Sequence, residues 1–345
     1  MNKILLILTG GTIGSVTNGD TIDVDTDGVE TNDMADIHSC RLTDNYYDNY
    51  GNTDKVVFEI RRPLNILSEN MNPVYWNELC RTIYRERDNG FDGVIIAHGS
   101  DTLSYTSAFI SVMYAQTGIP IILTAANHPL DADITNGNRN FAACVSYICG
   151  KNEPGVFTIY EDNSGCMNVY NSGTICEADG YLDEYHDITG GVYGVMDKGI
   201  FVKNDSYAVP EYHDDINGLC DRVSMKAGMI LAGKARMSDN VMFIRPYPGM
   251  RYDSISLERY KPECILHGLY HAGTASVASV SRNNNLTEFA NRCIAGGIDI
   301  YMAAVKHAEK AVYASVRQLT DAGIVPMYNT NYERAYAMLV ISYAV

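Results

Sequence analysis

The chain has 345 residues, of which 46% are hydrophobic, and its formal net charge at pH 7 is −16. At about 150 residues per domain, this length predicts two domains, and the apolar content excludes a globally disordered chain. The acidic balance argues against binding to nucleic acid or to an anionic membrane surface, because both require clustered cations.

Nine cysteines are irregularly spaced and include no CxxC pair. This pattern favours reduced thiols in the cytoplasm over a secreted disulfide framework or a zinc site. The short apolar run 4–8 is followed directly by Gly10 and Gly11, so a buried strand is a better interpretation than a signal peptide. No apolar run approaches the roughly 18 residues of a membrane-spanning helix. We therefore expect a cytoplasmic protein.

Strand-like apolar runs alternate with helix-like segments in the first half of the chain, which predicts a parallel α/β sheet. Asn72 and Pro73 are suited to the cap and the first position of a helix. The segment 162–234 has poor periodicity and is interpreted as a hairpin followed by a linker. We predict strands at 4–8, 56–60, 93–97, 120–126 and 155–160, and helices that begin at 73 and span 103–116 and 140–149.

A second α/β region begins near residue 239. The whole pattern predicts a two-domain α/β protein with a doubly wound, flavodoxin-like first domain at 1–204, a linker at 205–238 and a smaller α/β domain at 239–345. The first domain is expected to carry most of the functional site. In the second domain we predict strands at 241–245, 264–269, 299–305 and 324–327, and a last helix at 332–343.

Residues 20–54 form an acidic insert with ten Asp or Glu residues and a single cation, Arg41. Residues 23–28 copy the first half of an EF-hand loop, but its twelfth position is Met34 instead of a bidentate glutamate. No helix signal flanks the loop, so we favour a solvated acidic loop and expect no metal site. Three tyrosines of the insert could reach back to a functional site: Tyr46, Tyr47 and Tyr50.

Two polar motifs follow predicted strands, where ligands bind in open α/β sheets. Thr-Gly-Gly-Thr-Ile-Gly occupies residues 9–14, and His-Gly-Ser-Asp-Thr-Leu occupies residues 98–103. Taken singly, the first also fits a structural turn, and Ser100 or Asp101 in the second also fits an ordinary helix cap. His98 is expected to support the adjacent glycine turn.

The two motifs together resemble those of the bacterial asparaginase/glutaminase family, and the similarity extends over nearly the whole chain. The resemblance implies a cytoplasmic amidohydrolase that releases ammonia from the side chain of L-asparagine. It also implies no cofactor, a small amino-acid amide as the binding partner, and a homodimer or homotetramer. Further segments that resemble the family are 67–71, 120–130, 136–140, 245–249, 269–274 and 319–343.

The resemblance assigns a role to individual residues. Thr12 aligns with the mobile threonine that acts as nucleophile, and Ser100 falls where the family has its second catalytic threonine. Asp101 matches the aspartate that grips the substrate α-amino group. Ser68 and Glu69 match the pair that binds the α-carboxylate and α-amine. Three further residues are expected at the substrate: Gly11, Thr21 and His271.

The chain departs from the family at two catalytic positions. The family lysine has no counterpart, since residues 152–197 contain neither Lys nor Arg, and its position falls near Ser172 or Ile175. The family tyrosine is also missing, with Thr21 as the nearest equivalent. His271 is a candidate substitute base, although an ordinary loop histidine is the more common alternative. A metal pair formed by His267 and His271 is not expected, because the two lie on a strand and a loop.

Two alternatives to an asparaginase stay open. One is a weakly active or inactive protein that binds an amino acid as a sensor or regulator, because a threonine hydroxyl needs a base or a positive field to react. The other, which the family resemblance implies, is an amidotransferase component that liberates ammonia from glutamine for transfer to charged tRNA. The net charge of −16 and the lack of an evident RNA-contacting domain argue against this second alternative.

Overall fold

The computed structural model describes the chain except residues 12, 14, 19–20, 25–39, 52–54, 211–217, 279–283 and 306–312, and it describes only the backbone of 15–18 and 21–24. The described residues form two compact units, Met1–Ala208 and Val209–Val345. Among them, no helix is both long and apolar enough to cross a bilayer.

Twelve strands and four helices make up the described part of the first unit. The strands are β1 (Asn2–Leu8), β2 (Ser15–Asn18), β3 (Thr21–Val24), β4 (Val56–Arg61), β5 (Gly93–Ala97), β6 (Pro120–Thr124), β7 (Gly155–Glu161), β8 (Met167–Asn171), β9 (Ile175–Cys176), β10 (His186–Asp187), β11 (Gly194–Asp197) and β12 (Ile200–Lys203). The helices are α1 (Arg41–Tyr50), α2 (Pro73–Glu86), α3 (Leu103–Met113) and α4 (Gly137–Cys149).

Eight of these strands form one sheet in the order β12-β11-β8-β7-β6-β5-β1-β4. Strands β4, β1, β5, β6 and β7 are parallel neighbours, and β8, β11 and β12 extend the sheet in antiparallel fashion. Leu6 pairs with both Ile60 and Ile95 at the centre, and all three are buried. A parallel sheet covered by helices needs apolar residues on both faces, which is why the sequence shows continuous apolar runs. The predicted α/β fold class is confirmed.

Helix α2 begins as its sequence predicts. The side chain of Asn72 accepts hydrogen bonds from the backbone N–H groups of Val74 and Tyr75, and Pro73 occupies the first helical position. Helix α3 is shorter than predicted and ends at Met113. A turn follows it, in which the N–H of Thr117 donates to the carbonyl of Tyr114.

Helix α1 follows the EF-hand-like loop within the acidic insert, where the sequence shows no helix signal. Leu42 and Tyr46 of this helix are buried in the core, and Thr43 forms a reciprocal capping box with Cys40. Asn, Asp and Tyr have low helix propensity, so the local sequence gives little signal and packing decides the structure. The EF-hand-like residues 25–34 lie outside the described part of the chain.

The second unit is a smaller α/β layer. Its four strands form a parallel sheet in the order β13-β14-β15-β16. The strands are β13 (Val241–Ile244), β14 (Cys264–Gly268), β15 (Asp299–Val305) and β16 (Val325–Tyr328), and the helices are α5 (Leu219–Leu231), α6 (Leu286–Ala295), α7 (Ala314–Asp321) and α8 (Tyr332–Ser342). Helix α5 lies in the stretch expected to be a linker, and it buries Val223, Ala227 and Ile230 at helical spacing.

Candidate active site

The carboxyl ends of β1, β4 and β5 bring three loops together. Gly10 and Gly11 follow β1 with φ angles of 96° and 73°, a region that favours glycine. The N–H of Gly11 donates to the carbonyl of Ile66 (2.8 Å), and the N–H of Ile66 donates to the carbonyl of Thr9 (3.1 Å). The loop after β1 is thereby joined to the segment after β4.

The glycines of these loops leave no space for side chains. A Cβ atom on Gly11 would lie 2.4 Å from both Cα and N of Gly99, and a Cβ atom on Gly99 would lie 2.5 Å from Oγ of Ser68. Such distances are far inside van der Waals contact. Gly11, Gly99 and Ser68 therefore form one tightly packed junction at the end of the sheet.

Ser68 and Asp101 are in direct contact at this junction. The hydroxyl of Ser68 donates to Oδ2 of Asp101 (2.9 Å), and the hydroxyl of Thr102 donates to the carbonyl of Ser68 (2.8 Å). Thr102 is the cap residue of α3 and makes no capping hydrogen bond with its side chain. The carboxylate of Asp101 therefore faces a hydroxyl group across the junction, and the residue remains exposed to solvent.

A chain of hydrogen bonds with a defined donor direction supports the motif at residues 98–103. Nδ1 of His98 lies 2.8 Å from the carbonyl oxygen of Gly99, and Nε2 lies 3.0 Å from Oγ1 of Thr106. Since the carbonyl only accepts, Nδ1 carries the proton, and Thr106 must donate to Nε2. Thr106 in turn accepts from Nε1 of Trp76 (3.0 Å). The expected support of the glycine turn by His98 is confirmed, and burial lowers the pKa of His98 to about 4.

A cavity of about 290 Å³ opens beside Ser100 and Asp101. The hydroxyl of Tyr185 closes one side by donating to the carbonyl of Ser100 (2.7 Å), and burial raises the pKa of this tyrosine well above its ordinary range, so that it remains a neutral donor. No described residue that lines the cavity is a lysine or an arginine. The lining residues are Ser100, Asp101, Tyr160, Glu177, Ala178, Asp179, Gly180, Leu182, Asp183 and Tyr185.

The structure describes the other expected site residues to different extents. Glu69 lies beside Ser68 in a short 3₁₀ turn and is exposed. Thr12 lies outside the described residues, and Thr21 is described only as the first backbone position of β3. His271 is exposed in a turn after β14 in the second unit, and its part in the site stays a prediction.

The two positions considered for the family lysine are both buried. The Oγ atom of Ser172 lies 2.9 Å from Oγ1 of Thr158, which donates to the hydroxyl of Ser107 (2.8 Å). Ile175 is fully buried, and neither it nor Ser172 lines the cavity. The hydroxyl of Ser172 therefore belongs to a buried polar cluster in the core.

The tyrosines of the acidic insert do not line the cavity. Tyr46 packs edge-on against Phe58 and Phe141, and the hydroxyl of Tyr47 donates to the carbonyl of Val56. Val56 is the first residue of β4, whereas the site lies at the carboxyl ends of the strands. The idea that these tyrosines reach back to the site is therefore wrong for Tyr46 and Tyr47, and Tyr50 stacks on Tyr46.

Within the described ranges, no group of three or more His, Cys, Asp or Glu residues is arranged to hold a metal ion. His267 is buried, and its Nε2 lies 2.9 Å from the hydroxyl of Tyr252. It is therefore engaged inside the second unit and not exposed like His271.

Sequence reasoning missed Tyr185 and the segment 177–185, which supply most of the cavity wall. This segment lies between the two-residue strands β9 and β10. Strands this short have no hydrophobic periodicity to detect. The one available signal is the absence of Lys and Arg from residues 152–197, a range that includes this segment.

Known proteins match this chain over most of its length. The family described as "Asparaginase, N-terminal" matches residues 3–177, slightly more than half of the chain. A component of the glutamyl-tRNA(Gln) amidotransferase of Methanosphaera stadtmanae is 27% identical over 348 residues, which cover 98% of this chain and 71% of that protein.

Two solved structures share the fold over nearly all of the chain. The thermostable L-asparaginase from Thermococcus kodakarensis has a TM-score of 0.69 and 21% identity, and the match covers 98% of this chain and 92% of that one. The probable cytoplasmic L-asparaginase from Campylobacter jejuni has a TM-score of 0.70 and 17% identity, with 99% and 95% covered. The match of the family over residues 3–177 supports amide hydrolysis as the class of reaction, and the chain belongs to the asparaginase family.

Proposed function

We propose that this site hydrolyses the side-chain amide of an amino acid, with L-asparagine as the leading substrate and Thr12 as the nucleophile. The observation that carries the proposal is the 2.9 Å hydrogen bond between Ser68 and Asp101 beside the packed junction of Gly11 and Gly99. A hydroxyl and a carboxylate at the carboxyl end of a sheet are suited to hold an amino acid.

Binding of the substrate backbone would use the Ser68–Asp101 pair. The carboxylate of Asp101 is exposed at the cavity and can pair with an α-ammonium group. The neighbouring Glu69 offers a second carboxylate, and the hydroxyl of Ser68 can turn to the α-carboxylate. The substrate amide would then face the loop after β1, which contains Thr12.

Hydrolysis proceeds in two steps, acylation of the threonine and hydrolysis of the acyl ester. The hydroxyl of Thr12 attacks the amide carbon, so that a C–O bond forms and the C–N bond breaks, and the nitrogen leaves as ammonia with the proton that the hydroxyl loses. Water then attacks the acyl ester, which releases the carboxylate and restores the threonine. Backbone N–H groups would stabilise the oxyanion that forms in each step.

A second candidate substrate is glutamine, used as an ammonia source within an amidotransferase. The relatives named as glutamyl-tRNA(Gln) amidotransferase components favour it, since two of them match 97–98% of the chain. They weigh against our argument from net charge, because their names link this fold to tRNA-dependent chemistry. The same site would serve both substrates, which differ by one methylene group.

Replacing Asp101 with asparagine is expected to raise KM for L-asparagine by about 10- to 100-fold and to change kcat much less. The reason is that a charge-assisted hydrogen bond to the α-ammonium group contributes about 1.5–3 kcal/mol to binding. Asparagine keeps an oxygen that can accept from Ser68, so the junction is retained. Initial rates of ammonia release over a range of substrate concentrations give both constants.

Asp205→Asn is the matched control, because Asp205 is exposed and lies outside the cavity. The substitution changes the charge by the same amount as Asp101→Asn. Its KM should equal that of the unmodified protein. An unchanged KM in Asp101→Asn would contradict the role given to this carboxylate.

A further inference from the structure

The cavity beside Ser100 carries more negative charge than an amino-acid amide can balance. No lysine or arginine lines it among the described residues. Four acidic residues do so: Asp101, Glu177, Asp179 and Asp183. Free asparagine and free glutamine have no net charge at neutral pH. The α-ammonium group would neutralise one carboxylate, and the α-carboxylate would add another negative charge. The remaining acidic residues therefore have no counterpart in these substrates.

A second and independent feature is the hydroxyl group of Tyr160. Tyr160 is 1% exposed and lines the cavity, yet its hydroxyl has no hydrogen-bond partner of normal geometry. Burial raises the pKa of Tyr160 to about 12, and the nearby amide of Asn136 tempers the rise. That amide donates one N–H to the carbonyl of Glu161 and accepts from the N–H of Asn127, and no hydrogen bond of normal geometry joins it to Tyr160. Buried polar groups are nearly always paired, so the Tyr160 hydroxyl is available to a ligand.

The aromatic rings at the cavity add a third element of the same chemistry. The rings of Tyr160 and Tyr185 lie edge to face, with centroids 5.0 Å apart. Both residues line the cavity. Aromatic rings together with carboxylates favour organic cations, because the ring quadrupole and the negative charges attract the same group.

We propose that this cavity is a subsite for an organic cation, so that the substrate carries a primary ammonium or guanidinium group in addition to its α-amino group. The proposal rests on the proposed amide hydrolysis. In the proposed binding mode Ser68, Glu69 and Asp101 hold the α-amino and α-carboxylate groups of the substrate, which leaves the amide nitrogen as the point of extension. The substrate class is therefore a side-chain amide with a cationic alkyl substituent on its nitrogen.

The chemistry of this reaction differs from that of asparagine only in its leaving group. The amide C–N bond breaks, Thr12 and then water supply the new C–O bond, and the nitrogen takes up a proton. The products are the amino-acid carboxylate and an alkylamine that carries the second cation. Tyr160 would accept a hydrogen bond from that cation, and Asp183 and Glu177 would balance its charge.

Calorimetric titration of the full chain with 1,4-diaminobutane tests the subsite without any need for turnover. We expect the diamine to bind and the isosteric 1,4-butanediol not to bind. Asp183→Asn should weaken diamine binding about tenfold, whereas Asp205→Asn, with the same change in charge on an exposed site, should leave it unchanged. Equal binding of diamine and diol, no binding of either, or equal effects of the two variants would overturn the proposal.

The variant Tyr160→Phe tests whether the Tyr160 hydroxyl binds a ligand or supports the core. Removal of an unpaired buried hydroxyl should leave the Tm unchanged or raise it, and it should weaken diamine binding several-fold. A variant with lower Tm and unchanged diamine affinity would show that the hydroxyl supports the core and would overturn its role here.

A parallel assay of activity distinguishes this proposal from the one on which it rests. Asparagine and its Nγ-(4-aminobutyl) and Nγ-butyl derivatives are compared, and we expect the highest kcat/KM for the aminobutyl amide. Hydrolysis of asparagine without any diamine binding would overturn the cation subsite alone. Diamine binding without hydrolysis of any amide would support the subsite and overturn the proposed function.

Discussion

Gly11→Ala is expected to destabilise the first unit by at least about 3 kcal/mol and to abolish activity. The left-handed backbone at φ 73° costs an alanine about 1–2 kcal/mol. The added Cβ atom would also lie 2.4 Å from Cα and N of Gly99. Because backbone lies on both sides of this contact, no side chain can move aside, and the loops after β1 and β5 must separate. Urea unfolding monitored by circular dichroism measures the loss.

Gly90→Ala provides the control for the backbone contribution alone. Gly90 has a similar φ of 70°, and nothing lies within 4 Å of a Cβ atom placed on it. We expect a loss of about 1–2 kcal/mol with activity retained. Equal losses for the two variants would contradict the packed junction, because only Gly11 combines the strained angle with the collision.

Acidification from pH 7 to pH 4 is expected to remove about 3 kcal/mol of stability for each of two buried histidines, His98 and His267. Burial lowers the pKa of both to about 4, whereas an unfolded histidine titrates near about 6.5. Between these values the unfolded state binds the proton and the folded state does not. Stability is therefore fully present above about pH 6.5, falls as the pH decreases towards 4, and changes no further from these groups well below that pH.

Urea unfolding midpoints at pH 7.0 and pH 4.5 test this linkage. The difference between the two midpoints should shrink in His98→Gln, because the group that titrates is gone. His271→Gln, a substitution of an exposed histidine, should keep the full difference. A difference that is the same in all three proteins would show that His98 does not carry the pH dependence.

Much of the fold was predictable because the central strands are buried on both faces. The runs that form β1, β5 and β6 are continuous in apolar residues, and their positions were predicted to within two residues. Asn72 predicted the start of helix α2 equally well, because a capping residue bonds to the first turn of its own helix. Helix α1 was not predicted because its two buried hydrophobic residues, Leu42 and Tyr46, are stabilised by packing against the rest of the unit.

The site was predictable only where it follows strong strands. The motifs after β1 and β5 predicted Gly11 and Asp101 at one end of the sheet, the family resemblance added Ser68, and the structure shows the three loops in contact. Tyr185 contacts Ser100 from 85 positions away along the chain. No local pattern encodes such a contact, so the acidic wall of the cavity could be found only in three dimensions.

Ammonia release by the purified chain tests the central claim most directly. L-asparagine and L-glutamine are assayed in parallel with the unmodified protein, with Thr12→Ala and with Thr320→Ala, a matched substitution in helix α7 of the second unit. We expect ammonia from at least one of the two amides, a loss of at least about a thousandfold in Thr12→Ala, and no change in Thr320→Ala. Glutamine as the better substrate would favour the amidotransferase candidate. No ammonia from either amide, while asparagine or aspartate still raises the Tm by binding the folded state, would contradict the account and leave a protein that binds amino acids without hydrolysing them.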